Sequence, residues 1–310
     1  MSEMTDHEQA QQTLLNEMIA HRLYIPSGVP GVYGRGFHFE DTIERLGRAI
    51  TVIGRDDHAE VLRFPPVMSR RSFEQTEYLR SMPQLAGSVF SFTGDQAAHA
   101  RLLALVAEQH DWSETQSMTD VVLAPAACYP IYPMVASEGP LPESGRLFDV
   151  SCYCFRHEPS PDPARMQSFR MREFVRVANS EDEVRAWRGD WLARGLAFIA
   201  ALGLEAEAVS ANDPFFGRVG KMLAANQREA ELKTEIVHPI TSREKPTAIV
   251  SVNVHQDLFG RVFGIKTSTG QTAHTGCIGF GLERIALGLF NAHGFDPARW
   301  PDTVKATLSS

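Results

Sequence analysis

Cysteine is scarce in this chain, and so are basic residues and long apolar runs. Four cysteines in 310 residues, at 128, 152, 154 and 277, fall in no secretory spacing, which excludes a disulfide-stapled scaffold and fits a reduced, cytoplasmic setting. Lys and Arg number 30 against 38 Asp and Glu, giving a net charge of −8; that excludes a broad polyanion-binding surface, since neutralising phosphates needs clustered cations. The longest uncharged apolar run, 121–137, is interrupted by Pro125, Pro130 and Pro133, so no membrane helix is expected. Residues 1–10 are polar and acidic, which argues against a signal or transit peptide. Internal repeats, low-complexity tracts and heptads are missing too.

What is present is a 43% hydrophobic chain, enough for a proper core. Apolar spacing predicts helices at about 8–23, 39–53, 73–81, 95–109 and 181–204, the last with acidic residues in its first turn. Strands are expected at 59–64, 121–123, 147–156, 169–177, 232–238, 248–254 and 273–278. The strands at 147–156 and 169–177 form a hairpin around a loop with Pro159, Pro161 and Pro163. Hairpins and long excursions, rather than alternating βαβ units, imply an α+β fold with an antiparallel β-sheet flanked by helices. A helix and loop over 1–36 should pack on a catalytic unit spanning 37–310, with a helical insertion around 181–230.

Two stretches carry chemistry. Gly276-Cys277-Ile278-Gly279-Phe280-Gly281-Leu282-Glu283-Arg284 runs into an apolar helix, where glycines admit a flat group and an arginine can grip phosphate. Phe155-Arg156-His157-Glu158 faces Arg170-Met171-Arg172-Glu173-Phe174 across one loop. An arginine there can reach an α-phosphate, a carboxylate can accept from an exocyclic amine, and an aromatic can stack on a purine.

In these residues the chain resembles the catalytic core of class II aminoacyl-tRNA synthetases. Phe-Arg-x-Glu, a loop and Arg-x-x-x-Phe are similar to their motif 2; Gly279-x-Gly281-x-Glu283-Arg284 is similar to their motif 3; Pro66-Val67-Met68 weakly matches motif 1 and with it a homodimer. The resemblance implies an ATP site in which Arg156 binds the α-phosphate, Glu158 the adenine amine, Arg170 and Phe174 the nucleotide on the return strand, with Phe174 on the adenine face, and Arg284 the γ-phosphate. Mg²⁺ would accompany the ATP.

Within that class, Leu123-Ala124-Pro125-Ala126-Ala127-Cys128-Tyr129-Pro130 resembles the seryl-type substrate loop, with Cys128 where a glutamate is usual. Cys128, Glu173 and Cys277 match the zinc ligands of atypical archaeal seryl-tRNA synthetases and of their bacterial relatives, the amino acid:carrier-protein ligases. Two thiolates and a carboxylate suit Zn²⁺ with one position open, which could take a substrate amine. The same cysteines read equally as small buried hydrophobes. Cys152 and Cys154 are taken as structural, and His255 and Asp257 stand where the family lines its active site.

Only about sixty residues precede the motif 1 region, too few for a tRNA-binding module. No tRNA acceptor is then expected, and the resemblance to the amino acid:carrier-protein ligases implies in its place the phosphopantetheine thiol of a small acidic carrier protein, loaded with glycine or alanine through an aminoacyl adenylate. Arg185, Arg188 and Trp191, three and four apart on one helix with Trp187, form the expected carrier contact. A seryl-type tRNA-aminoacylating enzyme and a non-catalytic synthetase-like binding protein are the alternatives.

Overall fold

The computed structural model describes residues 4–309; residues 1–3 of the expected N-terminal unit, and Ser310, lie outside the described residues. The chain begins with α1 (Asp6–Ala20), β1 (Tyr24–Pro26), β2 (Tyr33–Arg35), α2 (Phe37–Ile53), β3 (Glu60–Arg63) and β4 (Val67–Ser69). Next come α3 (Arg70–Gln75), α4 (Tyr78–Ser81), β5 (Ser88–Phe92), α5 (Gln96–Ala107), β6 (Gln116–Leu123), α6 (Ile131–Ser137), β7 (Arg146–Phe155) and β8 (Ser168–Ala178). The second half contains α7 (Glu181–Ala201), β9 (Glu207–Ser210), α8 (Gly217–Glu229), β10 (Lys233–His238) and β11 (Thr247–Gln256). It closes with α9 (Leu258–Phe263), β12 (His274–Gly281), α10 (Leu282–His293) and α11 (Asp302–Thr307).

Seven strands form the main sheet in the order β3-β7-β8-β12-β11-β10-β9. Its pairings are antiparallel with one exception: β3 runs parallel to β7, so the sheet is mixed rather than purely antiparallel. A smaller sheet, β4-β6-β5, stands apart, and two of its three strands, β4 and β5, had no counterpart among the expected strands. The helix expected over 73–81 is two short pieces. Glu77 takes a left-handed conformation at φ 60° between them, which breaks the helical ladder.

Alternation along the strands divides the sheet into two chemically different faces. On one face Phe174, Ile278, Phe280, Val250, Val252 and Ile236 join the main apolar core with Trp191, Phe198 and Ile199 of α7 and Ile285 and Leu289 of α10. Helix α2 adds Phe39, Ile43, Leu46 and Ile50, and α1 adds Leu14, Leu15 and Met18. The approach is close at Gly54, where a Cβ would sit 2.4 Å from the Phe174 ring, so no larger residue fits without displacing that ring. The opposite face carries Glu173, Cys277, Gly279, Ser251, Asn253 and Lys233 toward a cavity.

Candidate active site

The cavity, about 510 Å³, is floored by the polar face of the sheet and walled by the 124–130 loop, the β7–β8 loop and the segment from Asp213 to Gln227. Strand register explains its contents. Directly paired residues in antiparallel strands share a face, and Gly279 pairs with Glu173, Gly281 with Met171, Asn253 with Cys277, and Glu235 with Ser251. All eight belong to the cavity wall.

At one end Arg156 and Arg284 converge. Arg156 donates from Nε to the Pro125 carbonyl at 3.1 Å, and its guanidinium lies 5.5 Å from the centre of the Phe169 ring. Arg284, two residues into α10 after the glycine-rich strand, donates to the carbonyls of Ala164 and Ala248, each at 2.9 Å. Burial, and then the neighbouring charge of Arg156, pull the Arg284 guanidinium below its ordinary value. Glu158 also faces the cavity and accepts from Arg165 at 3.0 Å.

At the other end Cys128, Glu173 and Cys277 come together from three separate segments, their ligand atoms within 4.8 Å of one another and all buried. Cys128 arrives on the loop after β6, which is anchored by the Ala124 amide to Pro66 at 3.0 Å and by the Phe155 amide to Ala124 at 2.8 Å. Glu173 is oriented by the amides of Ala127 and Cys128, both donating to Oε1, at 2.7 and 3.2 Å. Burial, reinforced by the Cys277 sulfur, pushes its carboxyl well above the usual range. The Cys277 thiol is pulled well below its ordinary value by the hydrogen bond from Cys128, with His255 and Asn253 adding to the effect.

This donor set fits zinc: two ligands bound at about 2.3 Å with tetrahedral angles lie about 3.8 Å apart, and a cavity on the open side leaves a fourth position. His255 lies beside the cluster, with Nε2 3.6 Å from the Cys277 sulfur. Asp257 lines the cavity farther out and pairs with Arg261 at 3.0 Å. Cys152 and Cys154, their sulfurs 3.8 Å apart, belong to the same apolar cluster as Cys128 and Cys277 but do not line the cavity.

Three expectations are corrected. Phe174, next to Glu173 on the strand, must point the other way; it is 1% exposed and stacked on Trp191 with ring centres 4.1 Å apart, so it cannot meet a nucleotide. Phe169, an odd-numbered residue of the same strand like Glu173, lines the cavity in its place, beside Arg156. It sits four residues after Arg165, so an Arg-x-x-x-Phe spacing was also present in the sequence five residues earlier.

Arg170 likewise faces the helices, clamped by Glu40 and Glu283 with hydrogen bonds of 2.8 Å to each. Trp191 is fully buried and cannot meet a carrier, and Arg185 and Arg188 are engaged by Glu181 and Thr234, so the expected carrier contact on α7 loses its aromatic member.

No protein-family model matches the chain. It is 45% identical over 290 residues to amino acid–acyl-carrier-protein ligase 2 of Bradyrhizobium diazoefficiens, spanning 94% of this chain and 86% of that protein. Ligase 1 of the same organism is 44% identical, with 94% and 88% covered. A type-2 serine–tRNA ligase of Methanopyrus kandleri is 32% identical over 197 residues, 59% of this chain and 37% of that one. Among solved structures, M. kandleri seryl-tRNA synthetase in complex with A. aeolicus tRNASec superposes at TM-score 0.79 and 21% identity, over 99% of this chain and 60% of that one. Giardia lamblia prolyl-tRNA synthetase in complex with prolyl-adenylate superposes at 0.69 and 11% identity, over 93% and 53%. The fold is that of the class II aminoacyl-tRNA synthetases.

Proposed function

The chain belongs to the amino acid–acyl-carrier-protein ligases, and from that membership we propose that it activates glycine or alanine with ATP and passes the aminoacyl group to a carrier protein's phosphopantetheine thiol. The observation that carries the reading is one continuous cavity with paired guanidiniums at one end and the Cys128, Glu173, Cys277 cluster at the other.

In this reading ATP lies with its α-phosphate at Arg156, its γ-phosphate at Arg284, its adenine against Phe169 and its exocyclic amine toward Glu158, with Mg²⁺ as the counter-ion of the phosphates. Zinc held by Cys128, Glu173 and Cys277 supplies, when bound, a fourth coordination position for the amino acid's α-amine. The substrate carboxylate oxygen then attacks the α-phosphorus and pyrophosphate leaves. Charge on the phosphorus oxygens is met by guanidiniums already fixed by backbone carbonyls, so little reorganisation accompanies the step. In the second half-reaction the carrier thiol sulfur attacks the adenylate carbonyl, and AMP leaves as the thioester forms.

Transfer to the carrier rather than to tRNA is supported by the extent of similarity, which spans nearly the whole chain for the carrier ligases and 59% of it for the tRNA ligase. A soluble homodimer is part of the proposal, as is a cytoplasmic location; among the described residues no helix is long and apolar enough to cross a membrane.

Pyrophosphate exchange measured with each of the twenty amino acids should respond to glycine or alanine alone, and a pantetheinylated carrier should then gain the corresponding mass. Exchange with neither amino acid, or charging of tRNA while the carrier stays unloaded, overturns the reading.

A further inference from the structure

Strand β11 follows a regular register with β12 until Val254, after which Gln256 rather than His255 takes the next pairing position. His255 is therefore the extra residue of a bulge, and Gln256 beyond it adopts φ 54°. His255 keeps the parity of Asn253, two residues before it, so the imidazole stands on the cavity face that Asn253 and Cys277 share, and the bulge sets it out of direct pairing with Thr275.

The ring is held on every side. Its Nδ1 lies 3.0 Å from the Thr275 hydroxyl and 3.4 Å from that of Tyr132, while Phe259 meets it edge-on with centres 5.0 Å apart. Its Nε2 lies 3.6 Å from the Cys277 sulfur, which also accepts from Asn253 Nδ2 at 3.4 Å.

Resting on the metal-site reading above, we propose that His255 is a positioning residue whose Nε2–H donates to the Cys277 thiolate and fixes that sulfur's direction toward the shared ion. The argument is one of proton inventory. A metal-binding cysteine has no S–H, so any hydrogen on the His255–Cys277 contact comes from the imidazole. A neutral imidazole with hydrogen on Nε2 has a bare Nδ1, and the two groups facing Nδ1 are both hydroxyls able to donate. The opposite tautomer would set the Nε2 lone pair against a sulfur anion.

His255 thus acts through Cys277 rather than as a ligand: it is outside the group whose donor atoms all lie within 4.8 Å of one another. Donation of this kind restrains the sulfur's swing and withdraws charge from it, both of which tune how the remaining coordination position receives an amine.

The test compares wild type with His255→Leu, His255→Gln and Thr275→Val by two readouts: zinc affinity in competition with a chelator of known affinity, and the sulfur-to-cobalt charge-transfer absorption of the cobalt-substituted protein. His255→Leu should bind zinc on the order of tenfold more weakly, with a displaced band, as loss of outer-shell partners commonly does. His255→Gln, whose amide N–H can occupy the Nε2 position, should recover most of both. Thr275→Val should move them the same way by less, and the KM for the amino acid should rise in His255→Leu while that for ATP stays put. Wild-type affinity and an unmoved band in His255→Leu would overturn the proposal and leave the metal site standing, and so would a glutamine variant as weak as leucine. A wild-type protein that takes up neither zinc nor cobalt would overturn both.

Discussion

Phe169 and Phe174 lie on one strand with opposite parity, and their substitutions should separate cleanly. Phe169→Ala should raise the KM for ATP on the order of tenfold, the scale of one lost base stack, while leaving thermal stability nearly unchanged. Phe174→Ala should instead cost about 3–5 kcal/mol of folding stability, as expected for an aromatic removed from a close-packed core. Nucleotide affinity lost in the second and kept in the first would refute the parity assignment. Cys128, Glu173, Cys277, Arg156 and Arg284 were read in the sequence through their resemblance to the class II synthetase motifs, and all five line one cavity. Which of two phenylalanines faced the ligand was also implicit, since residues adjacent on a strand cannot share a face and Glu173 had been placed in the site. The face of His255 was implicit as well, since it lies two residues after Asn253, but its contact with Cys277 was not, because no spacing rule signals the bulge that takes it out of the pairing register of β11.

Helix α8 is the element on which carrier transfer should depend. It contributes Leu223, Asn226 and Gln227 to the cavity wall while Met222 is 67% exposed, and Phe216 just before it is 61% exposed. Lys221 and Arg228 add positive charge to an otherwise acidic molecule, which suits an acidic partner carrying an arm that must reach the cavity. Lys221→Glu combined with Met222→Asp should lower carrier loading at least tenfold and leave amino-acid-dependent pyrophosphate exchange intact; loading unaffected by both changes would remove α8 from the docking surface. Helix α7 offered the stronger sequence signal because Trp187, Trp191, Arg185 and Arg188 recur at helical spacing. That spacing reports one face without saying which way it points, and burial against Phe174 decided it.

At the scale of the molecule the buried site should make stability depend on both pH and metal. Burial, aided by Cys277, holds the Glu173 carboxyl well above 4.5 in the folded state, so the metal-free protein keeps a proton that the unfolded chain has already released. Stability of the chelated protein should therefore fall as pH rises from about 4.5 toward neutrality, and Glu173→Gln should flatten that slope. Zinc should reverse the trend, since it requires the deprotonated ligands. A thermal midpoint of the chelated protein that climbs over this interval would contradict the assignment.

Assembly is the other molecular property. Helix α5 has no buried residue, and Leu103 and Val106 are 55% and 53% exposed, a pattern suited to cover by a second copy. Sedimentation should give twice 34.4 kDa, and Leu103→Glu with Val106→Glu should halve it.

The clasp at Cys128, Glu173 and Cys277 also has a history in time. Its first two members are 45 residues apart and already joined through the Cys128 amide, but the third enters on β12, near the end of the chain. A nascent polypeptide still missing that strand could offer an ion only two of the three ligands, so capture of a metal would follow the emergence of β12. Occupancy of the clasp would then mark a chain whose sheet has closed.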